Sequence, residues 1–273
     1  MQLYATIDSD SDSPSLHSFM PAVSMLLPAS SWYRCKFRPP RIPDHIPELA
    51  ADCGGFVAAM RWKRYRYSMS EYVRWLCSFP PRLRWAACMD YCCEPPVAGS
   101  AALIELRQRK TTARAWQAWT HWRDMSWVWV PTVQGWDVED YQRHARELAP
   151  LIGEMRDRYG PDRGWRVGIG TLCARADAAL IRQVVEAVTA ELPGVPLHLW
   201  GVKLDVLKNR IALPESVISV DTAAWNGLFG QDREEWRISG QRQRQWSYGV
   251  ALPRYMERFQ NAVAQPKQVQ MIV

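Results

Sequence analysis

The feature of this sequence that most constrains its fold is the alternation of short apolar runs with longer amphipathic stretches. Runs of this length that are apolar at nearly every position and end in Gly, Asp or Pro are typical of strands covered on both faces. Eight runs fit this description: LYATI (3–7), PAVSMLL (21–27), ELAAD (48–52), RWAACMDY (84–91), WVWVPTVQ (127–134), WRVGIGTL (165–172), PLHLWGV (196–202) and SVISVD (216–221).

Helical periodicity separates several of these runs. Apolar side chains recur every three or four positions in residues 137–160 and again in residues 176–194, which places them along one face of a helix. A Pro-Gly pair ends the second stretch, as is common at helix ends. Residues 70–79 and 101–122 are further predicted helices.

The order of these elements predicts the architecture. Strands that alternate with helices favour a parallel sheet, and eight strands in 273 residues predict a (β/α)8 barrel, the TIM barrel. An open, doubly wound sheet is the competing arrangement. We expect one barrel domain over residues 1–229, and a polar, basic segment over 230–273 that packs on the barrel or is partly mobile.

Four polar side chains stand where predicted strands end: Asp52, Asp90, Gln134 and Asp221. A single Asp in such a place usually caps a helix or closes a turn. Four of them at equivalent ends favour a shared pocket, because the carboxyl ends of barrel strands meet at one mouth. Converging carboxylates suit acid–base or nucleophilic chemistry at a sugar carbon, and the Gln134 amide suits the edge of a base.

Charge favours a nucleic acid as the partner. The net charge is +6, which attracts polyanions. Residues 61–68, RWKRYRYS, interleave Arg61, Lys63, Arg64 and Arg66 with aromatic residues, a pattern that suits contact with a phosphate backbone and stacked bases. A solvated helix start is the alternative for this stretch and, more strongly, for residues 106–116 and 242–246.

The cysteines and the hydropathy pattern predict a cytoplasmic protein. Seven cysteines lie scattered in the sequence, three of them on or beside apolar runs, which indicates reduced thiols rather than a disulfide framework. We find neither a signal peptide nor an uncharged run long enough to cross a membrane. Adjacent Cys92 and Cys93 would alternate faces of a strand, so we expect no metal site there.

Six motifs occur in an order that carries a resemblance to a known family: DCGGF, MDYCCEP, VPTVQGW, GWRVGIGTLCAR, LHLWGVK and SVDTAAWN. In these residues the sequence resembles the tRNA-guanine transglycosylase superfamily. It is most similar to the DNA-acting branch, DpdA, which inserts 7-deazaguanines into bacterial and phage DNA. The resemblance covers residues 20–226.

The resemblance implies a TIM barrel and exchange of guanine in DNA for a 7-deazaguanine, for example 7-cyano-7-deazaguanine, through a covalent glycosyl-enzyme. By motif, Asp221 matches the nucleophile and Asp52 the general acid–base. The residues that match base-binding positions are Asp90, Gln134, Gly135, Gly170, Thr171, Phe56 and Trp200. The implied partners are DNA, the free base and an accessory modification subunit, with no cofactor, in a bacterial or phage-infected cell.

Two alternatives stay open. One is base exchange on RNA, which the missing zinc module disfavours: the tRNA enzymes carry a C-terminal cysteine run, and here no cysteine follows Cys173. The other is a non-catalytic nucleic-acid-binding barrel with structural acids. We interpret His198 as a core or pocket-lining residue and assign no role to Glu94.

Overall fold

A computed structural model of the chain describes residues 1–7, 18–160, 163–204, 207, 213–224 and 231–264. The domain boundary predicted at residues 229 and 230 lies outside these ranges. So do Trp225 and Asn226, which end the last of the six motifs.

Nine strands in these ranges form a single parallel sheet. Their order across the sheet is β5-β4-β3-β2-β1-β9-β8-β7-β6. The strands are β1 Gln2–Thr6, β2 Ser24–Pro28, β3 Leu49–Asp52, β4 Leu83–Ala87, β5 Val128–Val130, β6 Thr132–Val133, β7 Val167–Ile169, β8 Leu197–Leu199 and β9 Val217–Thr222.

Pro131 explains why the sheet has two short strands at its ends. It is the only residue between β5 and β6, and it lacks the N–H that a continuous strand would need. β5 pairs with β4 on one side, β6 pairs with β7 on the other, and the Pro131 carbonyl accepts a hydrogen bond from Gly168 N at 2.8 Å. The two edges of the sheet are therefore joined through one residue.

The sheet is thus a nearly closed barrel in which β5 and β6 serve as one strand of eight. Each of the eight predicted runs overlaps an observed strand. The predicted (β/α)8 barrel is confirmed, and the open, doubly wound alternative is wrong, because the end strands of an open sheet would not be consecutive in the chain.

Helices follow most of the strands, as the periodicity predicts. In chain order, six helices with bounds inside the described residues precede residue 225: α1 Ala29–Tyr33, α2 Gly55–Met60, α3 Met69–Leu76, α4 Ala101–Trp122, α5 Val138–Tyr159 and α6 Ala178–Glu191. The start of α3 is fixed by a capping box, in which Ser68 and Glu71 each bind the other's backbone N–H.

The barrel interior is filled by aromatic and polar side chains, because alternate residues of each strand face inward. Trp85 Nε1 donates to the Tyr4 hydroxyl at 2.8 Å, and that hydroxyl donates to Glu48 Oε1 at 2.8 Å. The rings of Trp85 and His198 lie 5.1 Å apart. Together these side chains form a packed floor beneath the carboxyl ends of the strands.

The part of segment 230–273 that the structure describes is helical. It contains α7 Gln231–Ser239, α8 Gln243–Trp246, a π-helical turn Ser247–Ala251 and α9 Leu252–Ala264. Leu252, Tyr255 and Phe259 recur at helical spacing and are buried in the main core. The Tyr255 hydroxyl also reaches Thr222 Oγ1, at 3.4 Å. The division of the chain into the two predicted segments stays a prediction.

Within the described ranges, no helix is both long and apolar enough to cross a bilayer. All seven cysteines carry free thiols. In the same ranges, no cluster of three or more His, Cys, Asp or Glu side chains is arranged to hold a metal ion.

Trp85 is a direct test of the packed floor. It is 1 % exposed, so we expect Trp85→Ala to lower the free energy of unfolding by about 3–5 kcal/mol, measured by urea denaturation. Leu103→Ala is the matched control, because Leu103 is 45 % exposed on α4 and its loss should cost less than about 0.5 kcal/mol. Equal effects of the two substitutions would contradict this account of the interior.

Candidate active site

Two adjoining cavities open at the carboxyl ends of the strands. The outer cavity has a volume of about 540 Å³, and the inner one about 80 Å³. Asp52 and Asp221 line both, while Asp90 and Gln134 line the inner cavity. The four polar side chains at the predicted strand ends therefore lie around one space.

Asp221, at the end of β9, is held by three donors. Its Oδ2 accepts from Thr6 Oγ1 at 3.0 Å, and its Oδ1 accepts from Gly201 N at 2.7 Å. His198 Nε2 is 3.3 Å from the same Oδ1. With two oxygens and three donors, the side chain is fixed in orientation and accepts as a carboxylate.

The His198 contact continues as a chain of donors into the barrel. Arg166 Nη1 donates to Ser219 Oγ at 2.8 Å, and Ser219 Oγ is 2.9 Å from His198 Nδ1. Burial lowers the pKa of His198, so the ring is neutral. Because carboxylate Asp221 only accepts, Nε2 carries the proton, Nδ1 accepts from Ser219, and all hydrogen bonds run from Arg166 toward Asp221.

A second chain of donors ends at Asp90. Cys93 N donates to Thr171 Oγ1 at 2.8 Å, and Thr171 Oγ1 donates to Gln134 Oε1 at 2.5 Å. Gln134 Nε2 then donates to Asp90 Oδ2. The backbone of Gln134 is held as well, because its N–H donates to Nδ1 of buried His144 at 2.7 Å. The amide of Gln134 is thus fixed in one orientation.

Asp90 itself lies half-buried against the β3–α2 turn. Cys53 Sγ donates to its Oδ1 at 3.1 Å, and the Tyr65 hydroxyl donates to its carbonyl at 2.8 Å. Burial raises the pKa of Asp90, and the bonds from Cys53 and Gln134 oppose that rise. A Cβ at Gly55 would overlap Asp90 Oδ1, so this approach requires glycine.

Asp52 differs from the other two acids because it has few donors. Burial, followed by the charges of Asp90 and Asp221, raises its pKa to about 7. A carboxyl group with a pKa near neutrality can both give and take a proton at physiological pH. Asp52 and Asp221 therefore share a cavity in two different electrostatic environments.

Thr171 holds an unusual backbone conformation. Its φ is 57°, a left-handed value that is a genuine outlier for a β-branched residue. The conformation places Oγ1 between Cys93 N and the Gln134 amide. Preceding Gly170 lies so close to Gln134 that a Cβ would come within 2.6 Å of its Cδ. The strained backbone of Thr171 thus forms part of the wall of the inner cavity.

The remaining residues predicted to bind a base are placed as follows. Phe56, 41 % exposed, and Trp200, 9 % exposed, both line the inner cavity. Trp200 Nε1 donates to Thr132 Oγ1 at 3.2 Å. Gly135 does not line the cavity: its Cα faces α5, where a Cβ would meet Tyr141 N at 2.8 Å.

The four cations predicted to contact nucleic acid are exposed but face three different cavities. Arg61 lines the outer cavity. Arg66 lies with Arg64 beside Tyr33 and Trp62, and its guanidinium is 5.3 Å from the Trp62 ring centroid.

Lys63 and Arg64 line a separate cavity of about 330 Å³, which we call the basic cavity. It is also lined by Asp90 and by three cations of α4, Arg107, Lys110 and Arg114.

Comparison with known sequences identifies the family of this chain. The model of the DpdA family, DeoxyPurine in DNA protein A, matches residues 23–259. The chain belongs to the DpdA family. This family consists of DNA-modifying transglycosylases, so the resemblance seen in the six motifs is confirmed. No curated protein matches the chain.

Sequence reasoning missed several residues that position the acids of this DpdA family member. Thr6, Arg166 and Ser219 contact Asp221 directly or through His198, and Cys53 contacts Asp90. The available signal was polarity inside a buried strand: Arg166, His198 and Ser219 interrupt runs that are otherwise apolar. Such residues need buried partners, but the sequence does not say which.

The raised pKa of Asp52 predicts a pH-dependent stability. An aspartate in an unfolded chain has a pKa of about 4, so the cost of ionising Asp52 in the folded protein grows as pH rises from about 4 to about 7 and is complete above that. We expect Asp52→Asn to be more stable than the wild type at pH 8, by about 1–3 kcal/mol, with the difference shrinking toward pH 4.

Urea denaturation at several pH values measures this difference. Asp157→Asn is the control, because its side chain is 81 % exposed and the substitution should give no pH-dependent difference. A difference between Asp52→Asn and the wild type that is the same at pH 5 and pH 8 would show that Asp52 titrates normally.

Proposed function

We propose that this protein is a DNA guanine transglycosylase, which exchanges guanine in DNA for a 7-deazaguanine through a covalent glycosyl-enzyme. The observation that carries the proposal is the pair of acids, Asp52 and Asp221, on one cavity. One is held as an oriented carboxylate by three donors, and the other has a pKa of about 7. Base exchange with retained configuration requires this division of roles, since it consists of two displacements.

In the first displacement, an Asp221 oxygen attacks C1′ of the deoxyribose. The C1′–N9 bond breaks, its electron pair goes to guanine, and Asp52 supplies the proton that leaves with the free base. The donors Thr6, Gly201 N and His198 aim the attacking carboxylate. Since both acids line the outer cavity, which is lined by Phe56 and Arg61 as well, the sugar occupies this cavity.

In the second displacement, Asp52 takes the N9 proton of the incoming 7-deazaguanine. The N9 electron pair attacks C1′, and the C1′–O bond breaks to restore the Asp221 carboxylate. The proton that Asp52 gave to guanine is thereby replaced, and no cofactor is consumed. A carboxyl group such as Asp52, whose neutral and charged forms are both accessible near pH 7, suits this cycle.

The base spans the inner cavity and the adjoining part of the outer cavity, which share Asp52, Phe56 and Asp221. Asp90 accepts from the N1–H and 2-amino donors of the purine, and the Gln134 amide donates to O6 once it leaves Asp90. Phe56 and Trp200 supply apolar surface for the faces of the ring. A base paired within a duplex cannot enter such a cavity, so it is flipped out or taken from a single strand.

The basic cavity is the proposed site for the DNA backbone. Its five cations come from two separate segments, 63–64 and 107–114. No ion pair joins any of these five to a carboxylate within the described part of the chain. Because the cavity also touches Asp90, phosphates bound there would lie beside the base that enters the site.

Exchange can be measured with guanine-containing DNA and 7-cyano- or 7-aminomethyl-7-deazaguanine, followed by digestion and mass spectrometry of the nucleosides. We expect incorporation by the wild type and a covalent protein–DNA adduct that survives denaturing gels. Asp221→Asn should abolish both, and Asp52→Asn should slow exchange by about 10²–10⁴-fold. Exposed Asp157→Asn is the matched control.

The same assay separates the alternatives. DNA should be extracted as well from cells that make 7-deazaguanines and express the protein, so that any accessory subunit is present. Modified nucleosides in neither experiment would overturn the proposal. Exchange in tRNA but not in DNA would favour the RNA alternative, and DNA binding that survives Asp52→Ala and Asp221→Ala without any exchange by the wild type would favour the non-catalytic barrel.

DNA affinity tests the basic cavity separately. Each phosphate contact contributes about one to the slope of log affinity against log salt concentration. We expect the double variant Lys110→Ala, Arg114→Ala to lower that slope by about two and to weaken binding. The control is Arg182→Ala, whose guanidinium already pairs with Glu186 at 2.6 Å. An unchanged slope would exclude this cavity from the DNA path.

A further inference from the structure

The cavity beside Trp62 takes no part in the reaction proposed above. It has a volume of about 560 Å³ and is lined by Tyr33, Trp62, Arg64, Tyr65 and Arg66; we call it the aromatic cavity. Its three rings are half-buried, and its two arginines are exposed. The volume falls within the range of about 300–1,000 Å³ that is typical of small-molecule sites.

The lining of the aromatic cavity points to the chemistry of its ligand. No carboxylate lines it among the described residues, and neither Arg64 nor Arg66 forms an ion pair in that part of the chain. The Arg66 guanidinium lies 5.3 Å from the centroid of the Trp62 ring. Aromatic rings flanked by free cations suit a planar group that is attached to phosphates, which is what a nucleotide is.

The rings of the aromatic cavity are held in place from behind. Tyr33 and Trp62 each contact the buried ring of Tyr67, with centroids 5.5 Å and 6.2 Å apart. The Tyr67 hydroxyl donates to the Cys53 carbonyl, directly after β3. The cluster is therefore anchored to a barrel strand, and a rigid set of rings loses little conformational entropy when a ligand binds.

Tyr65 connects the aromatic cavity to the active site. Its side chain lines both the aromatic cavity and the basic cavity, and its hydroxyl donates to the Asp90 carbonyl at 2.8 Å. Arg64 also lines both cavities. A strand that follows the basic cavity therefore reaches the aromatic cavity without losing contact with Arg64. The length of one tyrosine side chain separates the aromatic cavity from Asp90.

We propose that the aromatic cavity binds an unpaired base of the DNA strand close to the target guanine. This base stacks on Trp62 and the neighbouring rings, while Arg64 and Arg66 contact the adjoining phosphates. The inference rests on the proposed base exchange and names the form of its substrate: DNA that is open at the target and at a nearby nucleotide as well. A base that is paired and stacked inside a duplex cannot reach a ring on the protein.

Two duplexes of the same sequence test this without any need for turnover. In one, only the target guanine is mismatched; in the other, a bubble unpairs the target and two nucleotides on each side. By fluorescence anisotropy at constant salt and without a free base, the wild type should bind the bubble at least about tenfold more tightly. Trp62→Leu, which keeps apolar bulk and removes the ring, should bring the two affinities within about threefold, and Trp62→Phe should restore part of the preference.

Trp122→Ala is the matched control. Trp122 is also a half-buried tryptophan packed against the main core, but it ends α4, at the face of the barrel opposite the carboxyl ends of the strands. This variant should keep the wild-type preference for the bubble. The comparison of the two duplexes within the wild type decides the question even if a variant does not fold.

An abasic scan distinguishes stacking on Trp62 from a structural role of that residue. Single-stranded oligonucleotides carry one guanine and an abasic site at one of the three positions on either side of it. In the wild type, one position should weaken binding by about tenfold. In Trp62→Leu, the abasic site at that position should cost nothing further, because its partner is already gone. A merely structural role of Trp62 would weaken binding equally at every position.

Equal affinity of the wild type for the two duplexes would overturn the inference, and so would a folded Trp62→Leu protein that keeps the preference. If both duplexes are modified at equal rates and no abasic position is coupled to Trp62, base exchange stands and only this inference fails. If the bubble preference and the coupling are found but no DNA is modified, the stacking site stands and the proposed base exchange fails.

Discussion

The mutual repulsion of four carboxyl groups around one cavity is the constraint on which the rest of this site depends. The barrel brings Asp52, Asp90, Glu94 and Asp221 together at the carboxyl ends of its strands, and each is accommodated differently. Asp221 and Asp90 are met by donors. Asp52 responds with a pKa of about 7, and Glu94 lies beside the Cys92 thiol, whose pKa is raised by burial and then by the Glu94 charge. Four like groups are therefore not redundant, because four environments give them different chemistry.

Donor chains connect this arrangement to the fold. The chain that ends at Asp221 crosses three neighbouring strands, since Arg166 precedes β7, His198 lies in β8 and Ser219 lies in β9. The register that pairs His198 with Ser219 sets its geometry. A shift of one residue would turn every side chain of a strand to the other face. The orientation of Asp221 therefore depends on the register in which these strands pair. The packed floor of Tyr4 and Trp85 keeps water away from this chain.

Much of this could be predicted from the sequence, and the limits have physical reasons. Apolar runs bounded by turn residues predicted all eight barrel strands. The acids at their ends could be recognised as candidate site residues, because a charged side chain that follows a buried strand needs polar surroundings. The break at Pro131 was not predicted, since its effect depends on which strands lie on either side. His198 and Glu94 were not assigned a function, because the role of a buried polar residue depends on the partners that the folded structure places beside it. The contribution of Lys110 and Arg114 depends likewise on the packing of α4 beside residues 63–64.

Thr171 shows what the site costs the fold. Its left-handed backbone is worth roughly 1–2 kcal/mol of strain for a residue with a Cβ, and glycine would relieve that strain while deleting the hydroxyl that orients Gln134. The stability of the fold and the orientation of the Gln134 amide are therefore set against each other at this one residue.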